Sequence, residues 1–118
     1  IQGCKIFRVE ASIFYFNQIH VYDQIKLKTL SGGGGVRMVI IDLSSAPIVD
    51  VSGSRMLLKL SRELEKEKIS LRIVDALSDV RELLRRLGME EIIGHISRRT
   101  SIQDAVDLFL AGKISEIR

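Results

Sequence analysis

Tryptophan is absent from this 118-residue sequence, proline and cysteine occur once each, histidine occurs twice, and aromatic residues make up only 5%. Each scarcity removes a class of explanation. The lone Cys4 cannot form an internal disulfide, which fits a reducing compartment. Two histidines and one cysteine provide no cluster with metal-ligand spacing. No apolar run approaches the ~20 residues needed to span a bilayer, and no signal peptide is visible. The chain begins at Ile1 rather than methionine, so it reads as a fragment of a larger protein whose membrane spans would lie elsewhere. A net charge of +3, with acids and bases alternating and no stripe of aromatic and basic residues, argues against a nucleic-acid partner.

What remains is an ordinary globular composition, 46% hydrophobic and 28% charged, at a length suited to one domain. The organising stretch is residues 39–60. Val39, Ile40 and Ile41 are too densely apolar for a half-wet strand and suit one buried on both faces of a parallel sheet. The chain then turns through Ser44, Ser45 and Pro47. A helix starts near Ser52, with Leu57, Leu60 and Leu64 at helical spacing. The connecting loop carries Asp50, Ser52, Gly53 and Ser54, and ligands of open α/β sheets bind beyond the carboxyl ends of the strands.

The other elements follow in order. Residues 5–9 and 12–16 read as a hairpin-like pair of strands, and Asn17 as the cap of a helix running to Leu30. Residues 31–35, Ser-Gly-Gly-Gly-Gly, read as a flexible linker between the first helix and the central strand, either natural or a scar of a removed insertion. It lacks the lysine and following helix of a phosphate-binding loop. Residues 70–74 form a further strand. Ser78 caps a helix with Val80, Leu83, Leu84 and Leu87 on one face, stopped by Gly88. Residues 92–96 read as a short edge strand. Ser101 and Asp104 resemble a capping box for a last helix, with Ile102, Ala105, Val106 and Phe109 on its apolar side and Gly112 at its close. The fold class is α/β, a mixed sheet with helices packed on it, in the order β-β-α-β-α-β-α-β-α. Ile41, Leu57, Leu60, Leu83 and Leu84 are expected in one core.

Ile41-Asp42-Leu43 followed by Ile48-Val49-Asp50-Val51-Ser52-Gly53 resembles the signature of STAS domains, named for sulfate transporters and anti-sigma factor antagonists. Residues 71–74, 80–84 and 87–88 fall where such domains carry similar segments, so the resemblance spans nearly the whole chain. Lys5 to Val9 and Ser12 to Asn17 look like the opening of the cytoplasmic C-terminal domain of SulP-type anion transporters. There the second strand ends in two aromatics, a small residue and Asn, and Phe16 departs from that pattern at the small position. The glycine run falls where animal members carry a long variable insertion.

The resemblance implies a single STAS domain over residues 1–118, at the cytoplasmic face of the membrane. It would be a regulatory and interaction module that is not itself an enzyme. Its implied partners are the transmembrane domain of its own transporter and a regulatory protein, with oligomers formed only through the parent transporter. No cofactor is required, though family links to GTP or ATP leave weak nucleotide binding open. The alternative is a stand-alone anti-sigma factor antagonist, because the serine matching Ser52 is the phosphorylated switch of that branch.

The structural role weighed beside that one is a helix N-cap at Ser52. Asp50 is expected to form an Asx-turn. Asp42, followed at a distance by Pro47, suggests a receiver-domain phosphoacceptor, but the acids and lysine that such a site needs are missing. A Gly-x-Ser-x-Gly nucleophile elbow is absent too, since Asp50 holds the first glycine position. His20 and His95 have no spacing that suggests a general base. The pairs Arg85-Arg86 and Arg98-Arg99 read as solvated faces.

Overall fold

Met38–Asp42 is apolar at its first four positions and buried at all five, and it forms the central strand β2. Strand β1 (Cys4–Arg8) lies on one side of it and β3 (Ser70–Val74) on the other, both parallel, in the order β1-β2-β3. The register places Arg8 beside Asp42 and Asp42 beside Val74 at the carboxyl ends. Parallel neighbours need crossovers, and helices supply both of them. Helix α1 (Gln18–Leu30) joins β1 to β2, and α2 (Val51–Lys66) joins β2 to β3. Helices α3 (Ser78–Arg86), α4 (Met89–Ile93) and α5 (Ile102–Leu110) follow. The computed structural model describes residues 3–93 and 102–110.

Alternation along β2 splits the core into two. Val39 and Ile41 face Ile25 of α1, Leu57, Leu60 and Leu64 of α2, and Val80 and Leu84 of α3. Met38 and Ile40 face the other way, onto Val74 and onto Val106 of α5. This two-sided burial explains the unbroken apolar run. Each leucine so enclosed contributes about 1.5–3 kcal/mol relative to exposure.

Several expectations need correction. Residues 12–16 form no hairpin strand: only Ile13 is bridged, in parallel, to Val49. The amides that a strand would spend on a ladder go to side chains instead. Asn17 Oδ1 accepts from the Phe14 amide at 2.7 Å, and Asn17 Nδ2 donates to the Ser12 carbonyl at 2.9 Å. Asn17 therefore ties down the preceding turn and makes no side-chain cap to α1. Residues 92 and 93 belong to α4 rather than to an edge strand, and the rest of that segment lies outside the described residues, as do Ser101 and Gly112. Ser78 is the first helical residue of α3, with Leu77 at the N-cap position. Leu83 is half-buried, whereas Leu84 is enclosed. Gly88 does stop α3, at φ +77°.

Candidate functional site

At the carboxyl end of β2 the chain leaves the sheet, and the 12–17 turn folds against residues 47–50. Two backbone bonds hold them together, Ile13 N–H to the Ile48 carbonyl at 2.9 Å and Asp50 N–H to the Ile13 carbonyl at 3.0 Å. The Ile48 amide also donates to Ser12 Oγ at 3.1 Å. Asp50 completes the junction. Its Oδ1 accepts from the Gly53 amide at 2.8 Å, and its Oδ2 accepts from the Tyr15 amide at 2.9 Å. Asp50, not Ser52, is thus the N-cap of α2, and the helix begins at Val51. Both carboxylate oxygens are engaged in holding structure, one on the helix and one on the turn.

The structure gives the four candidate residues different settings. Ser52 lies in the first turn of α2, half-buried, on the wall of an open groove of about 540 Å³ between α1 and α2. Gln18, Ile19, Tyr22 and Asp23 line one side, and Arg55, Met56 and Lys59 join Ser52 on the other. Gly53 is buried against Ile13. Ser54 is fully enclosed, and its Oγ has no partner among the described residues. Only Ser52 and Asp50 of the four therefore reach the surface.

Below the groove, α1 and α2 are tied by a polar cluster. Tyr22 Oη donates to Glu63 Oε1, which also accepts from Lys26 Nζ at 2.7 Å. Lys59 Nζ stands 5.1 Å from the centre of the Tyr22 ring. Hydrogen bonds from Lys26 and Tyr22 hold the Glu63 carboxyl below its ordinary value, and the bond to Glu63 raises Lys26.

A second polar pair sits beside the first candidate loop. Asp42 is 1% exposed, and its Oδ2 accepts from Arg8 Nε at 3.0 Å while its Oδ1 accepts from the Ser44 amide at 2.8 Å. Burial alone would push the Asp42 carboxyl up. The bonds from Ser44 and Arg8 outweigh it and hold the carboxyl below its ordinary value. With both oxygens engaged, Asp42 is a structural anion. The pair escaped sequence reasoning because its members lie 34 positions apart and meet only through the strand register. The groove escaped it for the same reason, although Ser52, Arg55 and Lys59, at spacings of three and four, carried a visible signal of a shared helix face.

The STAS domain family model matches residues 1–106. The chain belongs to the STAS family. Among curated proteins it is 25% identical over 115 residues to the probable sulfate transporter 3.4 of Arabidopsis thaliana, an alignment that takes in 90% of this chain and 18% of that protein. Among solved structures, the murine Solute Carrier 26 family member A9 anion transporter in its inward-facing state matches 94% of this chain at a TM-score of 0.82 and 27% identity. The STAS domain of a SulP transporter from Vibrio cholerae covers 95% of the chain at a TM-score of 0.77 and 16% identity, a likeness of fold. The chain spans 18% of the length of the plant and murine transporters, against 87% of the Vibrio domain. No helix among the described residues is long and apolar enough to cross a membrane.

Proposed function

We propose that this STAS domain is the cytoplasmic regulatory module of a SulP-type anion transporter, attached to the transmembrane domain of that transporter. The observation that carries this reading is the match of nearly the whole chain to one segment of the murine anion transporter, at 27% identity. The Asp-Val-Ser-Gly junction supplies the control point. Ser52 stands in the first turn of a 16-residue helix, whose positive end favours an anion, beside Arg55 and Lys59. Phosphate on Ser52 would add about two negative charges there and reverse the local field. In this reading the domain binds and signals, and the parent protein's membrane part moves the anion. Weak GTP or ATP binding at the same groove would be a secondary use of that field.

Uptake of labelled sulfate or chloride by cells carrying the full-length parent protein tests both levels. Ser52→Asp should change uptake severalfold while Ser52→Ala leaves it unaltered, with surface expression equal. Equal uptake in all three would remove the switch. A parent protein without membrane spans would remove the transporter reading.

A further inference from the structure

The exposed face of α2 carries Arg55, Lys59, Arg62 and Lys66. At 3.6 residues per turn, spacings of four, three and four put these side chains within an arc of about 60°, along a line about 16 Å long. None of the four comes within ion-pair distance of a carboxylate among the described residues: Glu63, one turn past Lys59, is engaged by Lys26 and Tyr22, and Glu65 lies about 60° round the helix from Arg62. At the amino end of this ridge stand three exposed apolar side chains, Tyr15 at 72%, Phe16 at 70% and Ile19 at 63%. They are fixed there rather than loose. The Tyr15 amide is bonded to Asp50, and Phe16 stacks on Phe14 at 5.3 Å and meets Tyr15 edge-on at 5.4 Å. Ile48 and Val51, also exposed, extend the apolar cluster across to α2.

We propose that this ridge and its aromatic tip dock on an anionic phospholipid surface, with the cations over lipid phosphates and Tyr15, Phe16 and Ile19 in the interfacial layer. Charge complementarity chooses the occupant. The four cations outnumber the one carboxylate beside them, Glu63, which is already held by Lys26 and Tyr22. The ridge therefore stays net positive and matches a plane of negative headgroups, and juxtamembrane cations gain from that field. Tyr15, with one wet and one apolar end, belongs at the headgroup level, and Phe16 and Ile19 offer apolar area to bury beside it. An acidic amphipathic helix from a protein fits less well. It would need a long apolar groove, whereas the groove between α1 and α2 is closed by the Tyr22–Glu63–Lys26 tie one turn past Lys59. The groove has room for a headgroup phosphate on its α2 side, between Ser52, Arg55 and Lys59, across from Asp23 of α1. The inference gains from the proposed attachment to a membrane protein, which would keep a bilayer within reach, but its test does not depend on it.

Sedimentation of the 118-residue chain with vesicles decides the matter. Binding should be seen on phosphatidylcholine vesicles containing phosphatidylserine, be absent on phosphatidylcholine alone, and vanish in about 0.5 M salt, where screening is strong. Each cation removed should weaken binding roughly fivefold, so Arg62→Gln with Lys66→Gln should lose about thirtyfold. Both side chains are exposed, and an unchanged melting curve will show that the double variant is folded. Phe16→Ser should weaken binding while leaving its salt dependence in place. No binding to anionic vesicles at low salt, equal binding to neutral ones, or full binding by the double variant would each overturn the proposal. So would capture of an acidic helical peptide by a chain that ignores the vesicles. The transporter reading would survive any of these failures.

Discussion

Gly53 and Ile13 are in such close approach that a methyl group on Gly53 would stand 2.8 Å from Ile13 Cγ2 and 3.0 Å from the Ile13 carbonyl oxygen. That carbonyl accepts the Asp50 amide, so it cannot retreat without breaking the bond that joins the turn to the loop. The glycine of the Asp-x-Ser-Gly signature is therefore explained by packing, since the 12–17 turn lies directly on the first turn of α2.

Gly53→Ala should accordingly destabilise the domain by about 1–3 kcal/mol, against the ~1 kcal/mol that alanine normally gains over glycine inside a helix. Urea unfolding measures the sign. A stabilised variant would show that the turn can move aside.

Acid should weaken the domain partly through Asp42. Its carboxyl is held below the ordinary value, so the folded state gains stability from it above about pH 4, and that gain disappears as pH falls through the depressed folded value. Wild type should lose stability faster than Asp42→Asn between pH 5 and 2, and should exceed the variant at pH 7 by about 1–3 kcal/mol. Parallel curves for the two proteins across that range would deny Asp42 this role.

Lys68, just past the end of α2, has φ +61°, while the Ile69 amide reaches back to the Leu64 carbonyl at 2.9 Å. This is the helix-ending position where glycine is usual, and a lysine there holds a left-handed backbone at a cost of about 1 kcal/mol. Lys68→Gly should raise the unfolding free energy by up to that amount, and the urea midpoint with it, partly offset by the entropy of a freer unfolded chain. A lowered midpoint would count against the strain.

How much of this was readable beforehand depended on whether local pattern or distant contact decided each element. β2 and α2 were legible because an unbroken apolar run and leucines at helical spacing each have one physical interpretation here. The 12–16 segment had strand composition, yet Asn17 and Asp50 claimed the Phe14 and Tyr15 amides, and such competition does not appear in a propensity. The cationic ridge was hidden by interleaving. Glu63, Glu65 and Glu67 alternate with the bases in sequence, but the helix gathers four bases along one line and commits Glu63, at its edge, to Lys26 and Tyr22 of α1. The aromatic tip joined it only through the fold. Within the candidate loop, Asp and Ser are almost equally good caps, so sequence alone could not rank Asp50 above Ser52.

That choice gives the last test. Asp50 holds the Gly53 amide and the Tyr15 amide at once, whereas Ser52 contributes no cap. Asp50→Ala should cost about 1–3 kcal/mol, the sum of a lost cap and a lost turn bond. Ser52→Ala should fall within about 0.5 kcal/mol of wild type, as substitutions away from such features do. Asp50→Asn should lie between, because its amide keeps one acceptor and presents a donor to the other site. Side-by-side melts of the three variants separate these expectations. A Ser52→Ala variant less stable than Asp50→Ala would return the cap to the serine, and with it the stability role that the geometry assigns to the aspartate.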